Sequence, residues 1–186
     1  MNGNKRKDKI VIVDFGSQVT KLIARRIREL GVLSEILTLE KLKKLKDFYK
    51  IKGIILSGGP ATVTNKNFPN IPNKIFSLNI PILGICYGLQ LLAINFGGKV
   101  KYGNKKREFG RTVLKKKKKS FLTKNFYKKD KTYVWMSHQD MIYKIPKGFK
   151  KIASTKESPF AAIEDKKKKF YGIQFHPEVT HTENGN

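Results

Sequence analysis

The sequence predicts an α/β fold: a mostly parallel central sheet with helices on both faces, and a smaller antiparallel or mixed extension. Three observations lead there. In the first half, continuous apolar runs alternate with segments whose apolar residues recur at helical spacing. Unbroken runs mark strands buried on both faces, and strand–helix alternation means parallel pairing. From Phe109 onward the runs are shorter and few long helices separate them, the pattern of an antiparallel extension. Finally, three candidate motifs all fall at the ends of predicted strands, where open α/β sheets build their sites.

The elements follow in order. Lys9 to Phe15 is a strand, and Gly16-Ser17 turns the chain. Val19, Leu22, Ile23, Ile27 and Leu30 give a helix that Gly31 stops. Val32 to Leu37 is a second strand, Glu40 to Tyr49 a short basic helix, and Ile51 to Leu56 a third strand running into Ser57-Gly58-Gly59-Pro60. Thr62 to Asn73 is a polar loop, Ile75 to Leu78 is helical, and Ile80 to Ile85 is a strand delivering Cys86. The next helix reaches about Phe96 before Gly97-Gly98. Phe109 to Leu114, Thr132 to Met136, Lys151 to Thr155 and Phe160 to Glu164 are shorter strands, and Phe170 to Phe175 is a buried central strand ending at His176.

At 186 residues the chain suits one domain, expected over 9–180, with a polar basic tail at 1–8 and a linker or tail at 181–186. The single cysteine rules out an internal disulfide framework. No stretch reaches the ~18 apolar residues of a membrane span, and the first residues lack the apolar core of a signal peptide, so the cytoplasm is expected. The net charge of +26 comes mainly from lysine, in runs such as Lys115–Lys119 and Lys166–Lys169. A polyanion-binding surface is one reading and a solvated lysine coat the other. The runs hold almost no arginine and no interleaved aromatics, which favours the coat, with no nucleic-acid or membrane partner expected.

Cys86 sits in Gly84-Ile85-Cys86-Tyr87-Gly88, after an apolar run and before a helix-like one. That is the layout of a nucleophile elbow, a sharp strand-to-helix turn presenting one reactive side chain. A buried structural cysteine is the bland alternative. Phe175-His176-Pro177-Glu178 offers a base and an orienting carboxylate, since residues two apart on an extended segment face the same way. By itself the pair reads more readily as a strand-terminal histidine with a surface glutamate; combined with the elbow it does not. Ser57-Gly58-Gly59-Pro60 could free backbone N–H groups for a developing oxyanion, with the amide of Tyr87 as second donor; alone it is a plain turn. His138, in Ser137-His138-Gln139-Asp140, is either a rival base or part of a recognition loop. Three histidines and one cysteine without ligand spacing predict no metal site.

Together, Ser57-Gly58-Gly59-Pro60, Gly84 to Gln90 and Phe175 to Glu178 resemble the class I (triad) glutamine amidotransferases, in the right order across the whole chain. Ile12 to Gln18, Arg107 to Gly110, Trp135 to Asp140 and Gln174 to Thr182 are similar to the glutaminase domains of GMP synthases. The resemblance implies a flavodoxin-like sheet and a γ-glutamyl thioester on Cys86. It also implies His176 as base and acid, Glu178 as its orienter, and an oxyanion hole from the amides of Gly59 and Tyr87. Gly58, Gln90, Ser137 and His138 would hold glutamine, with Asp140 nearby. Ammonia would pass to an ATP-pyrophosphatase synthetase domain or subunit that converts XMP to GMP. ATP and Mg²⁺ would belong to that partner, with no cofactor in this chain. Two other readings stand beside it: a glutaminase of anthranilate or carbamoyl phosphate synthesis, and a basic non-catalytic binding module on the same fold.

Overall fold

The apolar runs become eleven strands and three α-helices among the described residues 7–103, 107–127 and 130–186 of this computed structural model; Met1–Arg6 of the expected tail lie outside them. In chain order these are β1 (Lys9–Asp14), α1 (Thr20–Glu29), β2 (Leu33–Thr38), α2 (Leu39–Lys44), β3 (Ile51–Leu56), β4 (Ile82–Ile85) and α3 (Tyr87–Asn95). There follow β5 (Lys99–Tyr102), β6 (Glu108–Lys116), β7 (Lys131–His138), β8 (Asp140–Lys144), β9 (Lys150–Ser154), β10 (Ala162–Asp165) and β11 (Phe170–Ile173). Nine strands form one sheet in the order β2-β1-β3-β4-β11-β10-β9-β6-β7. The pairings from β2 to β11 are parallel and those from β11 to β7 antiparallel.

Pleating divides the core between the faces. Val11 and Val13 of β1 pack with Leu42 of α2 and with Leu89, Leu91 and Leu92 of α3. Ile12, between them, joins Ile23 and Ala24 of α1 on the other face. α3 is apolar nearly all round because it is covered on all sides; residues Tyr87 to Ala93 are all buried. Asp14 fixes the β1–α1 turn, accepting from the Gly16 N–H at 2.9 Å and the Thr20 hydroxyl at 2.8 Å. Gly31 ends α1 at φ +77°, its N–H bonded to the Arg28 carbonyl.

Three features depart from expectation. α2 stops at Lys44 rather than near Tyr49: Leu45 turns to ψ 125°, and the extended chain beyond lets Leu45 and Phe48 pack on the core. β11 ends at Ile173, where the backbone bends and the Gln174 N–H bonds to the Ala161 carbonyl. β5 and β8 form a separate antiparallel ribbon that the sequence pattern did not predict. Lys166–Lys169 forms the turn joining β10 to β11, whereas the Lys115–Lys119 run begins inside β6, whose last residues are Lys115 and Lys116. Residues 182–184, expected as linker or tail, are hydrogen-bonded to β7 and to the Phe126 carbonyl.

Candidate active site

β4 ends at Ile85 and α3 begins at Tyr87, leaving Cys86 as the one residue of the turn. Its backbone sits at φ +53°, ψ −105°, a region that residues with a Cβ avoid. The surroundings hold it there. The Cys86 N–H bonds to the Ile173 carbonyl at 2.8 Å, and the Gly88 N–H to the Ser57 carbonyl at 3.2 Å. Both elbow glycines are required by space: a Cβ on Gly84 would lie 2.4 Å from backbone atoms of Gly88, and one on Gly88 would lie 2.2 Å from the Leu56 carbonyl oxygen. Tyr87 anchors the start of α3, its ring against Phe15 and its hydroxyl donating to the Pro69 carbonyl.

His176 follows β11, adjacent in the sheet to β4, so the two parallel strands carry thiol and imidazole to the same edge. Nδ1 of His176 lies 2.8 Å from Oε1 of Glu178, and both side chains are nearly buried. Burial works against a charged ring. Hydrogen bonds to Cys86 and Glu178, with the charges of both, outweigh it and push the imidazole pKa up to about 10. The ring is thus placed to exchange a proton with a cysteine nucleophile. The thiol also lies 3.7 Å from the Ser137 carbonyl, and Nε2 of Gln174 points at the sulfur from 3.6 Å.

Two concavities meet at Cys86 and share Gly59, Pro60 and Ser137. One, of about 340 Å³, is lined by Tyr87, Gln90, Phe109, His138 and Asp140 among others; the other, of about 470 Å³, by Ser17, Gln18, Trp135 and His176. Of the sequence-predicted residues, all but Gly58, His176 and Glu178 therefore line the smaller concavity. Gly58 instead backs the imidazole: a Cβ there would come within 3.3 Å of Cε1 of His176. Gly59 passes so close to β1 that a Cβ would lie 2.5 Å from the Phe15 carbonyl oxygen. Gln90 is buried, its amide donating to the Asp140 carbonyl and toward Oε1 of Gln174.

His138 is not a second base facing the sulfur. Its Nδ1 lies 2.9 Å from the Asp140 carbonyl and its Nε2 3.2 Å from Oε2 of Glu108, which also accepts from the Ser158 hydroxyl at 2.7 Å. Both ring nitrogens are thus engaged in a buried network that fixes the 137–140 turn. Burial alone would raise the Glu108 pKa; hydrogen bonds from His138, Thr155 and Ser158 overcome it and hold the carboxyl below the usual range. Asp140 accepts from the Thr62 hydroxyl through Oδ2, while buried Oδ1 has no partner among the described residues. A buried, unpaired carboxylate oxygen beside a cavity suits a cationic ligand group. Glu108, Ser158 and Thr62 were missed from sequence because they act across distant segments. Among the described residues, no cluster of three or more His, Cys, Asp or Glu side chains could hold a metal ion.

A family profile described as "Glutamine amidotransferase class-I" matches residues 11–186. The chain belongs to this family. Two class I amidotransferases of the GMP synthase [glutamine-hydrolyzing] type illustrate the closeness. That of Campylobacter hominis is 52% identical over 179 residues, covering 95% of this chain and 34% of the relative. That of Bartonella henselae is 46% identical over 183 residues, covering 96% and 34%. The chain thus spans about a third of the length of these amidotransferases. Among solved structures, a Thermoplasma acidophilum protein assigned as one of the subunits of a GMP synthase superposes with a TM-score of 0.81 at 32% identity, over 96% of this chain and 88% of its own. A glutamine amidotransferase of Thermotoga maritima, 22% identical with a TM-score of 0.73 over 92% of this chain and 76% of its own, shares the fold. No helix among the described residues is long and apolar enough to cross a membrane.

Proposed function

We propose that this amidotransferase domain hydrolyses the side-chain amide of glutamine to glutamate and ammonia, and that the ammonia serves an ATP-dependent synthetase domain or subunit converting XMP to GMP. The observation that carries the reading is the buried Cys86–His176–Glu178 arrangement at the carboxyl edge of the sheet, opening onto a cavity that contains an unpaired aspartate oxygen. Glutamine lies in the smaller concavity, its ammonium group on Asp140 and its amide carbon against Cys86.

The thiolate of Cys86 attacks the amide carbon, and the oxygen takes negative charge facing the amides of Gly59 and Tyr87. The intermediate collapses as the C–N bond breaks and His176 gives its proton to the leaving ammonia, leaving a thioester. His176, now neutral, takes a proton from water as its oxygen attacks; the C–S bond breaks and glutamate departs. Glu178 holds the ring oriented through Nδ1 throughout. The Gly58 position, free of a side chain, leaves room for the ring. ATP and Mg²⁺ act in the synthetase partner, and the domain works in the cytoplasm without a cofactor of its own or a nucleic-acid partner. The relatives named for GMP synthesis favour this pathway over anthranilate or carbamoyl phosphate synthesis. Basal turnover is low until the partner completes the site.

Glutamate release from glutamine, followed with and without a GMP-forming synthetase partner and its nucleotides, tests the reading. Cys86→Ala should abolish release, a loss of at least about a thousandfold. Equal release by wild type and Cys86→Ala would leave only the non-catalytic binding module.

A further inference from the structure

The catalytic imidazole is held at Nδ1 by Glu178, yet its backbone is held by something else. Thr182 is buried beneath the loop that carries His176. Its hydroxyl donates to the His176 carbonyl at 2.6 Å and accepts from the Trp135 N–H at 2.9 Å. The His176 N–H in turn donates to the Trp135 carbonyl at 3.0 Å. His176 and Thr182, six residues apart, thus close a ring of hydrogen bonds with distant Trp135, one hydroxyl making two of the three. The loop between them is tied down elsewhere: the Thr182 N–H bonds to the Val179 carbonyl, and Arg26 Nε of α1 donates to the Glu178 carbonyl at 3.3 Å. Next along, Glu183 accepts from the Tyr133 N–H, the Thr132 hydroxyl and Arg111. His181 lies over Trp135 with ring centroids 4.6 Å apart.

We propose that Thr182 is a positioning residue for His176: its hydroxyl locks the backbone of the base to β7 and so sets the imidazole at the distance and angle from Cys86 that proton transfer requires. This rests on the functional reading above but adds a residue outside the triad and outside the substrate cavity. The physical ground is steep. Both the His176 carbonyl and the Trp135 N–H have their partner in one side chain, and a base displaced by a fraction of an ångström loses much of its rate. Valine fits the same space and can make neither bond, while serine keeps both.

The test compares Thr182→Val and Thr182→Ser with wild type in two assays on the full chain. In glutamate release, T182V should lower kcat by about tenfold or more with KM within about twofold, because the substrate cavity is untouched. T182S should stay within about threefold of wild type. In the second assay, the rate of Cys86 alkylation by iodoacetamide is followed against pH. Cys86 and Glu178 are the groups facing the ring, so the profile reports the thiol–imidazole pair without needing glutamine. In T182V the whole profile should be displaced from that of wild type by about one pH unit. Wild-type kcat in T182V, or an unmoved alkylation profile, overturns the proposal. So does a tenfold loss in T182S, which would place the role in packing of the methyl group; this arm still decides the matter if T182V does not fold. A wild-type chain that alkylates as expected but releases no glutamate, alone or with its partner, overturns the glutaminase reading instead.

Discussion

At His176, charge and burial pull in opposite directions, and the outcome can be tested through stability. The folded ring titrates near 10, above the ordinary 6.5 of a histidine. A raised folded pKa means the protonated ring binds its proton more tightly in the native state. Its contribution is therefore complete below about pH 6.5 and is lost as pH climbs through about 10. The melting temperature of the wild type should fall more steeply between these limits than that of His176→Asn; parallel melting profiles would contradict the ion pairing. The triad residues were legible in the sequence because each stands in a compact motif with its own glycine or proline. Gln174 and Thr182 stand in the same stretch as His176, but nothing in their identity announces a contact with the sulfur or with a carbonyl. Ser158 lies in no motif at all, and only the register of β6 against β7 brings Glu108 opposite His138.

Among the elements, α3 and the strands beneath it are the most constrained. Its second residue, Gly88, crosses β3 where a methyl group would overlap a backbone oxygen that cannot move without breaking the sheet. Gly88→Ala should therefore cost about 3 kcal/mol or more, beyond ordinary overpacking, and lower the melting temperature by roughly 6–12 °C. A change of under about 2 °C in calorimetry would show that the helix can shift away. Strand existence was legible wherever apolar residues cluster, unbroken through Ile10–Val13 of β1 and interrupted only by Lys52 and Gly53 in β3. The β5–β8 ribbon was not: Lys99-Val100-Lys101-Tyr102 is short, half lysine and only partly buried, so its pairing with β8 leaves no periodic trace. The end of α2 escaped for a related reason. Its lysines suit a helix by propensity, whereas burial of Leu45 and Phe48 decides for extended chain.

Over the whole molecule, charge has a direction. In the β6–β7 pair, Glu108 and His138 meet at the end near the site, while Lys115 and Lys131 meet at the far end. The Lys166–Lys169 turn precedes β11, whose opposite end leads to His176. Much of the lysine excess thus lies away from Cys86. Crowding is felt there: burial and the neighbouring charge of Lys117 hold the Lys151 ammonium below the usual lysine range. Self-repulsion at +26 should make the fold more stable as salt rises from about 0.01 to 0.15 M, since the screening length shrinks from ~30 to ~8 Å. Over the same range any retention on immobilised DNA should vanish. A melting temperature indifferent to salt, or DNA binding that persists at about 0.15 M, would point to a polyanion site instead.

The nine-stranded sheet has two rims, β2 and β7. β7 is the last strand on one side. Its outward amides at Tyr133 and Trp135 are taken by Glu183 and Thr182, and its carbonyls there receive the N–H groups of Glu183 and His176. A strand margin sealed this way offers no template on which another copy could stack. The polypeptide that steadies the imidazole therefore also guards the rim against intermolecular β-pairing, and loosening it would invite insolubility as well as slower chemistry.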